Sequence, residues 1–525
     1  MPPRAPTGAR RKPPEASVAS AQDVRNRIPI TGALMLATLM NTLDSTIANV
    51  ALPHMQGSLS ASQDQITWVL TSYILATAVA TPMAGWLSQK IGRKTVLVYS
   101  IMGFTIASMA CGMAQTVEEM VAFRVLQGLA GAGLMPLSQS VMLDIFPMSM
   151  IPRVMSIWSA AVILGPIAGP TLGGWITENL DWRWVFFINL PIGVLAWLGC
   201  QNFMSRDRGG RERPFDFIGF GGLIAFIVGL QMALDRGPQK DWLDAKEIWF
   251  YAAVSAAGLW VFIVQTATGR HPFFHRDLAK DRNFIATTIF SFFVGVLLFS
   301  TSALLPSFMQ NLMGYSAMQS GEASVSRGIG SLIAFLLVPW LVVRIGARLS
   351  LGIGLILSIW ALWMMGQFSL AMTAMPIVAS GFVQGFGTGL LFSPLSTLAY
   401  ATLDPVHRVE GTIVATMARS LGSSVGISVV QAMVIRDAAA AHSNLAGRMD
   451  PSSPLLHGIL PRLMDLDTLS GLTILNGEVT RQSSMLGYVN IFSWMALGTC
   501  VLIPLVFILR PAAPVARDPT EVHAD

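Results

Sequence analysis

Leu164-Gly165-Pro166-Ile167-Ala168-Gly169-Pro170-Thr171-Leu172-Gly173-Gly174-Trp175 decides how the rest of the chain is to be read. It lies inside an apolar run from about Val154 to Thr177, long enough to cross a bilayer as a helix. In water, this density of Gly and Pro would break a helix. In lipid, neighbouring helices and local backbone adjustments re-satisfy the freed groups, so the helix survives. Gly165, Gly169 and Gly173 recur every four residues and share one face of nearly bare backbone, on which a partner helix can pack closely. Gly174 adjoins that face, and Pro166 and Pro170 bend the same region. Two readings follow: a moving joint, or a static seam of small residues.

Composition places this helix among many like it. The chain has 525 residues, 53% hydrophobic and 12% charged, with mean hydropathy +0.57. Charged residues make up about a quarter of an ordinary soluble domain, so most of this chain belongs in lipid. The net charge of +5 sits in short connectors between apolar runs, a pattern of membrane topology and not of a nucleic-acid face. Cys111, Cys200 and Cys500 form no C-x-x-C pair, which argues against a disulfide framework or a zinc site. Residues 1–27, rich in Pro, Ala and Arg, read as a disordered start and not as a signal peptide.

Fourteen apolar spans are expected, near 28–50, 66–88, 95–114, 120–143, 154–177, 184–203, 215–234, 247–267, 284–309, 323–343, 350–370, 375–400, 411–434 and 488–509. Lys and Arg crowd one set of connectors, among them Lys90, Arg93, Lys94, Arg153, Arg344, Arg348 and Arg408. The opposite short connectors hold only Arg183, Arg236, Lys240 and Lys246, which puts both termini in the cytoplasm by the positive-inside rule. The chain also echoes itself. Trp86-Leu87-x-x-Lys90-Ile91-Gly92 returns as Trp340-Leu341-x-x-Arg344-Ile345-Gly346, Gln127-Gly128 as Gln384-Gly385, and Pro136-Leu137-Ser138 as Pro394-Leu395-Ser396. The nearly constant offset makes 28–203 and 284–509 two copies of a six-helix unit, with two inserted helices in 204–283 and a tail at 510–525. Two parallel halves are a transporter plan, with the substrate site between them near the midplane.

These motifs resemble the major facilitator superfamily, specifically its fourteen-helix drug:proton antiporters of the EmrB/QacA type. Leu43-Asp44-Ser45-Thr46-Ile47-Ala48-Asn49-Val50-Ala51-Leu52-Pro53 is similar to that group's first-helix motif, and Arg124-x-x-Gln127-Gly128 to its fourth-helix motif. The glycine–proline stretch resembles the fifth-helix antiporter motif, and Trp182-Arg183-Trp184-Val185-Phe186-Phe187-Ile188-Asn189-Leu190-Pro191 the signature before the sixth helix. The loop after the second span carries Gly85, Leu87, Gly92, Arg93 and Lys94 of the superfamily pattern, with Gln89 where an acidic residue is usual. The resemblance implies an all-α polytopic major facilitator fold in a bacterial inner membrane. It also implies proton-coupled efflux of amphipathic or hydrophobic drugs and toxins, and an outer face that meets a periplasmic adaptor leading to an outer-membrane channel.

Charges inside spans are costly and mark function by default. Asp44, near the outer end of span 1, and Arg124, near that of span 4, lie at similar depth and could pair; the expectation is a proton carrier and its modulator, against a static salt bridge. Arg327 could serve the cavity or snorkel outward. Arg419 is too deep to snorkel and is expected to face the cavity and attract anions. Asn41, Trp68, Gln127 and Gln384 line the cavity or bond helix to helix. Gly85, Gln89, Gly92, Arg93 and Lys94 form a cytoplasmic loop gate, with Asp144, Asp404 and Glu410 as loop ion-pair partners. The long connector 435–487 is outside, and apolar clusters at 454–460 and 472–475 could form helices over the outer mouth; it reads either as a docking element or as a solvated lid or disordered loop. No H-E-x-x-H, Walker loop or nucleophile elbow is present, so neither an enzyme nor a cofactor is expected. An exporter for one native metabolite or siderophore, and a non-transporting scaffold or receptor, stay open as alternatives.

Overall fold

The computed structural model describes residues 21–206, 214–237, 240, 242–270, 272–448 and 468–509. The expectations for residues 1–20, 454–460 and 510–525 lie outside them; the rest of the expected disordered start is instead ordered, with a short helix Ala21–Arg25 whose Asp23 accepts from the Ser205 amide at 2.7 Å. The described chain runs through fourteen long helical spans, and no strand occurs among the described residues. The first six are α1 (Arg27–Ser58), α2 (Gln63–Ile91), α3 (Arg93–Met113), α4 (Val117–Ile145), α5 (Ile151–Asn179) and α6 (Trp184–Phe203). The insertion is α7 (Phe217–Arg236) and α8 (Lys246–Thr268). The last six are α9 (Arg282–Asn311), α10 (Ala317–Ile345), α11 (Ala347–Met365), α12 (Met375–Ala401), α13 (Arg408–Arg448) and α14 (Leu469–Ile508).

Thirteen of these are long and apolar enough to cross a membrane by composition alone. The exception is α1, whose apolar run is interrupted by Thr38, Asn41, Thr42, Asp44, Ser45 and Thr46. Thr38, Asn41, Thr42 and Asp44 are buried against other helices, so α1 passes as the fourteenth by packing instead of by hydropathy.

The internal repeat is visible in backbone detail. α2 opens on a capping box between Ser62 and Gln65, and α10 on one between Ser316 and Gln319. Each box satisfies amide groups that the first helical turn leaves free. α2 ends at Gly92 with φ 94°, and α10 at Gly346 with φ 85°. Each glycine also starts the next helix, and only a residue without a Cβ turns there without strain. Gly128 and Gly385 mark another shared feature: a Cβ at either would strike a backbone carbonyl, of Tyr73 on α2 or of Arg327 on α10.

α5 remains one helix through Pro166 and Pro170 and uses two faces. Its glycine face packs on α1 inside the same half. The space that Cβ atoms would need at Gly165, Gly169 and Gly173 is taken by Thr42, Thr46 and Ile47. Thr46 Oγ1 donates to the Gly165 carbonyl at 3.0 Å. Gly174 is different: nothing stands within 4 Å of its would-be Cβ. The other face meets the second half, with Ile167 against Gly328 and Thr171 against Gly321 on α10.

The inserted pair is joined by close glycine contacts, Gly222 and Gly229 of α7 against the backbone of α8. α7 touches both halves. Thr71 of α2 donates to Asp235 Oδ2 at 3.0 Å, Gln231 Nε2 to Asp235 Oδ1 at 2.9 Å, and Ser424 of α13 to Gln231 Oε1. The insertion therefore sits on the α2–α13 flank.

The stretch 435–487 differs from the expected connector. α13 is 41 residues long and α14 starts at Leu469, so both helices continue through much of it. At about 1.5 Å per residue, α13 is roughly 60 Å long, twice a hydrocarbon core of about 30 Å. The polar residues near Arg436 and Asp437 mark the exit from lipid and not the end of the helix. The run Ala438–Ala441 favours helix in water as well. Leu472–Leu475 lies within α14 instead of forming a separate lid. His442 and Asn476 join the two helices beyond the membrane at 3.1 Å.

Candidate functional site

Asp44 stands near the middle of α1, because α1 runs on to Ser58, and not near its end. Its carboxylate accepts from Arg124 Nη1 at 2.6 Å on Oδ2, and from Gln127 Nε2 at 2.8 Å and Asn189 Nδ2 at 2.9 Å on Oδ1. Arg124 also donates to the Val69 carbonyl at 3.1 Å and to Gln127 Oε1 at 2.9 Å. Its guanidinium lies over the rings of Tyr73 (4.8 Å) and Phe186 (5.3 Å). Asp44, Arg124, Gln127 and Asn189 are all 0% exposed. Asn189 Nδ2 also donates to Ser108 Oγ, which donates to the Phe186 carbonyl. α1, α2, α3, α4 and α6 thus converge on one carboxylate inside the first half.

A buried ion pair is sensitive in both directions. Removing one partner leaves an uncompensated charge, at a cost of about 3–5 kcal/mol. Arg124 Nη2 and Asn189 Oδ1 have no hydrogen-bond partner, so the network has capacity to rearrange. Asn189, Ser108 and Tyr73 were not among the candidates from sequence. Asn189 was legible as the one amide in Trp182–Pro191, but the apolar run around it hid its role.

Asn41 lies in the same half, donating to Tyr73 Oη at 3.1 Å and to the Gly131 carbonyl at 3.4 Å. It ties α1 to α2 and α4 instead of facing a cavity. Trp68 is half-buried near the start of α2. Gln384 is buried on α12 beside the close crossing at Gly385, and its Oε1 has no partner.

Arg327 and Arg419 both lie in the seam between the halves. Arg327 does not snorkel: it is buried and donates to Ser302 of α9 at 2.8 Å. With Pro166 and Pro170 it borders a cavity of ≈ 20 Å³. Arg419 lies over the Phe392 ring at 5.0 Å and reaches the Met135 sulfur of α4 at 3.0 Å. It borders a cavity of ≈ 10 Å³ with Gln139 and Ser396, which bond across the seam at 3.3 Å. Such spaces admit a water, not a drug, which needs about 300 Å³ or more. The seam is closed in this conformation, and neither arginine has a carboxylate partner among the described residues.

The basic end of the bundle is closed by polar contacts. Asp144 at the end of α4 pairs with Arg93 and, at 3.1 Å, with Arg408 of the second half. Lys94 donates to the Gln201 and Met204 carbonyls at 2.8 and 2.6 Å. Gln89 Nε2 donates to Glu410 Oε1 at 3.4 Å, so the acidic group absent from the loop is met on α13. Gly85 packs where Ile413 of α13 fills the space of a Cβ. Asp404 accepts from the Val406 amide at 2.9 Å, a turn contact within its own loop. Beside this latch, the rings of His275 and His407 lie 4.4 Å apart. Burial, reinforced by His275 and opposed by Glu410, holds the His407 imidazole below the ordinary histidine value.

Comparisons with known proteins agree with this architecture. Residues 34–427 match the Major Facilitator Superfamily family model. The chain is 33% identical over 489 residues to the multidrug export protein EmrB of Escherichia coli, covering 92% of this chain and 95% of that one. It is 33% identical over 485 residues to the fatty acid resistance protein FarB of Neisseria gonorrhoeae, covering 92% and 96%. The human organic anion transporter MFSD10 superposes with a TM-score of 0.61 at 14% identity, over 92% of this chain and 99% of that one. The proton:xylose symporter XylE gives 0.57 at 14% identity, over 92% and 97%. With two six-helix halves, the motifs above and relatives of this identity over nearly its full length, the chain belongs to the Major Facilitator Superfamily, as an EmrB-like transporter and not an enzyme.

Proposed function

We propose that this protein exports amphipathic or hydrophobic toxic compounds across a bacterial inner membrane in exchange for protons. The observation that carries the reading is the Asp44 carboxylate, buried in the membrane and held by Arg124, Gln127 and Asn189. A carboxylate whose proton affinity is set by burial and by one movable Arg can load and release a proton as the helices shift. The multidrug export protein EmrB and the fatty acid resistance protein FarB, relatives over nearly the whole chain, support export of toxic compounds. Alternating access would rock the halves about the α5–α10 contact. The basic end, with the Asp144 and Glu410 contacts, faces the cytoplasm, as the positive-inside rule requires. The test is compound-induced proton release from inverted vesicles across a broad panel. Release by several unrelated compounds is expected; release by one compound only favours a dedicated exporter, and none at all overturns the reading.

The substrates include anionic amphipaths. Two buried arginines without carboxylate partners stand in the seam, and each would bond an anion as the halves part. A hydrogen bond to a charged group is worth about 1.5–3 kcal/mol, or roughly 10- to 150-fold. Arg419→Ala should therefore lower kcat/KM for an anionic amphipath at least about tenfold by this measure and leave a cationic one nearly unchanged. Equal losses on both would refute the role.

The paired ends of α13 and α14 form the docking element for a periplasmic adaptor. The support is their length beyond the lipid and exposed apolar residues on the hairpin, Leu469, Leu472 and Ile474. Replacing residues 440–480 by a short link should abolish adaptor co-purification while vesicle transport persists. Unchanged co-purification would move the docking surface elsewhere.

A further inference from the structure

The geometry points to a divalent transition-metal site formed by His275, Asp277 and His407, a site that neither the transport reading nor the cysteine spacing suggests. His275 caps a short turn, Arg276–Ala279, in the connector from α8 to α9, and Asp277 lies within that turn. His407 ends the turn Pro405–His407 that leads into α13. The connectors lie far apart in sequence, which is why no motif spacing announced the cluster. One donor atom from each residue lies within 4.8 Å of the others. A tetrahedral ion with bonds of about 2.0–2.2 Å needs donors roughly 3.3–3.5 Å apart, so the cluster must contract by a little over 1 Å. The exposed turn that carries Asp277 allows this.

The donor set suits zinc or copper(II): two imidazoles and one carboxylate, with open positions left for water. His275 Nδ1 already stands 3.0 Å from Asp277 Oδ2. A bound ion would replace that contact, and any proton shared there would leave to solvent. His407 Nδ1 is buried with no hydrogen-bond partner, a polar atom for which a ligand would account. The surroundings orient the ligands as a supporting shell does. Lys280 Nζ holds Asp277 Oδ1 at 2.8 Å, and Glu410 Oε2 accepts from the His275 backbone amide at 2.9 Å. An entry path exists, because His275 and Asp277 line an open cavity of ≈ 370 Å³ at the basic end, alongside Gln89 and Glu410.

The position gives the ion an effect. His407 adjoins Arg408, which holds Asp144, and Glu410 holds both Gln89 and the His275 backbone. An ion joining the two connectors would tie the insertion to the latch between the halves and slow its opening.

The experiment uses the full chain in lipid nanodiscs with any affinity tag removed. Zn²⁺ binding is titrated by calorimetry, and Cu²⁺ coordination is read by electron paramagnetic resonance. Wild type should bind one Zn²⁺ per chain and show coupling of Cu²⁺ to imidazole nitrogen. The double variant His275→Ala/His407→Ala should bind at least tenfold more weakly and lose the nitrogen signal. Asp277→Asn keeps both rings and should weaken Zn²⁺ while retaining the nitrogen signal, which covers the case of a double variant that does not fold. Hydrogen exchange of residues 272–281 and 403–410 should slow with Zn²⁺ in wild type only. Equal affinity in wild type and either variant, or no nitrogen coupling in wild type, overturns the site. None of these readouts depends on transport.

Discussion

Asp44→Asn is expected to abolish compound-induced proton release from inverted vesicles, down to the level of empty vesicles. The amide keeps the shape of the side chain but carries no charge and no exchangeable acid proton near neutral pH. It also presents NH₂ donors to Arg124 and Gln127, which themselves donate to Asp44. Arg124, at 0% exposure, would be left as an uncompensated buried cation, at a cost of about 3–5 kcal/mol. The single variant should therefore fold in lower yield as well as fail to couple. Adding Arg124→Gln removes the second charge and should recover monodisperse protein without recovering proton release. Folded yield is read by size-exclusion chromatography, coupling by the vesicle assay. Proton release at wild-type rates from well-folded Asp44→Asn would reduce the pair to a structural salt bridge and move the proton site elsewhere.

Gly165→Val should be the most damaging single change on α5. The atoms nearest a Cβ at Gly165 include the Thr42 carbonyl carbon and the Leu43 amide nitrogen, which are backbone and cannot rotate aside. Overpacking of this kind costs about 1–3 kcal/mol even for small additions, and a branched side chain adds more. Gly174→Ala is the matched control. Its Cβ enters open space, and it should stay within about ±0.5 kcal/mol or gain from helix propensity. Thermal unfolding of the two variants checks the difference, and transport rates separate the two readings of the seam. A folded but inactive Gly165→Val would mean that the α1–α5 seam moves during transport. Loss of folding alone would mean a static seam, with motion confined to the proline face against α10.

Much of this architecture is legible in the chain. A helix in lipid must satisfy its own backbone, so apolar length reports spans without knowledge of their neighbours. Gly92 and Gly346 were legible as a repeat, and the backbone shows each at a positive φ that favours glycine. Span 28–50 was legible and is α1, although its polar residues lower its hydropathy below that of the other thirteen; Thr38, Asn41, Thr42 and Asp44 are buried inside its half. Hydropathy did not show where two helices end. α13 and α14 run on as helices in water, where apolar runs carry no signal. Arg327 stood near a span end and read either as a cavity residue or as free to snorkel; it is buried and bonded to Ser302.

The sequence by itself determined the number of crossings, the twofold repeat and the presence of costly charges such as Asp44, Arg124 and Arg419 inside the membrane. Each depends on local composition or on a recurring string. Only the tertiary structure decided which of those groups meet. Asn189 reaches Asp44, Asp235 joins α2 through Thr71, and Glu410 supplies an acid to Gln89. Such pairings depend on how closely helices cross, and the crossing distance is set by side chains on both partners at once.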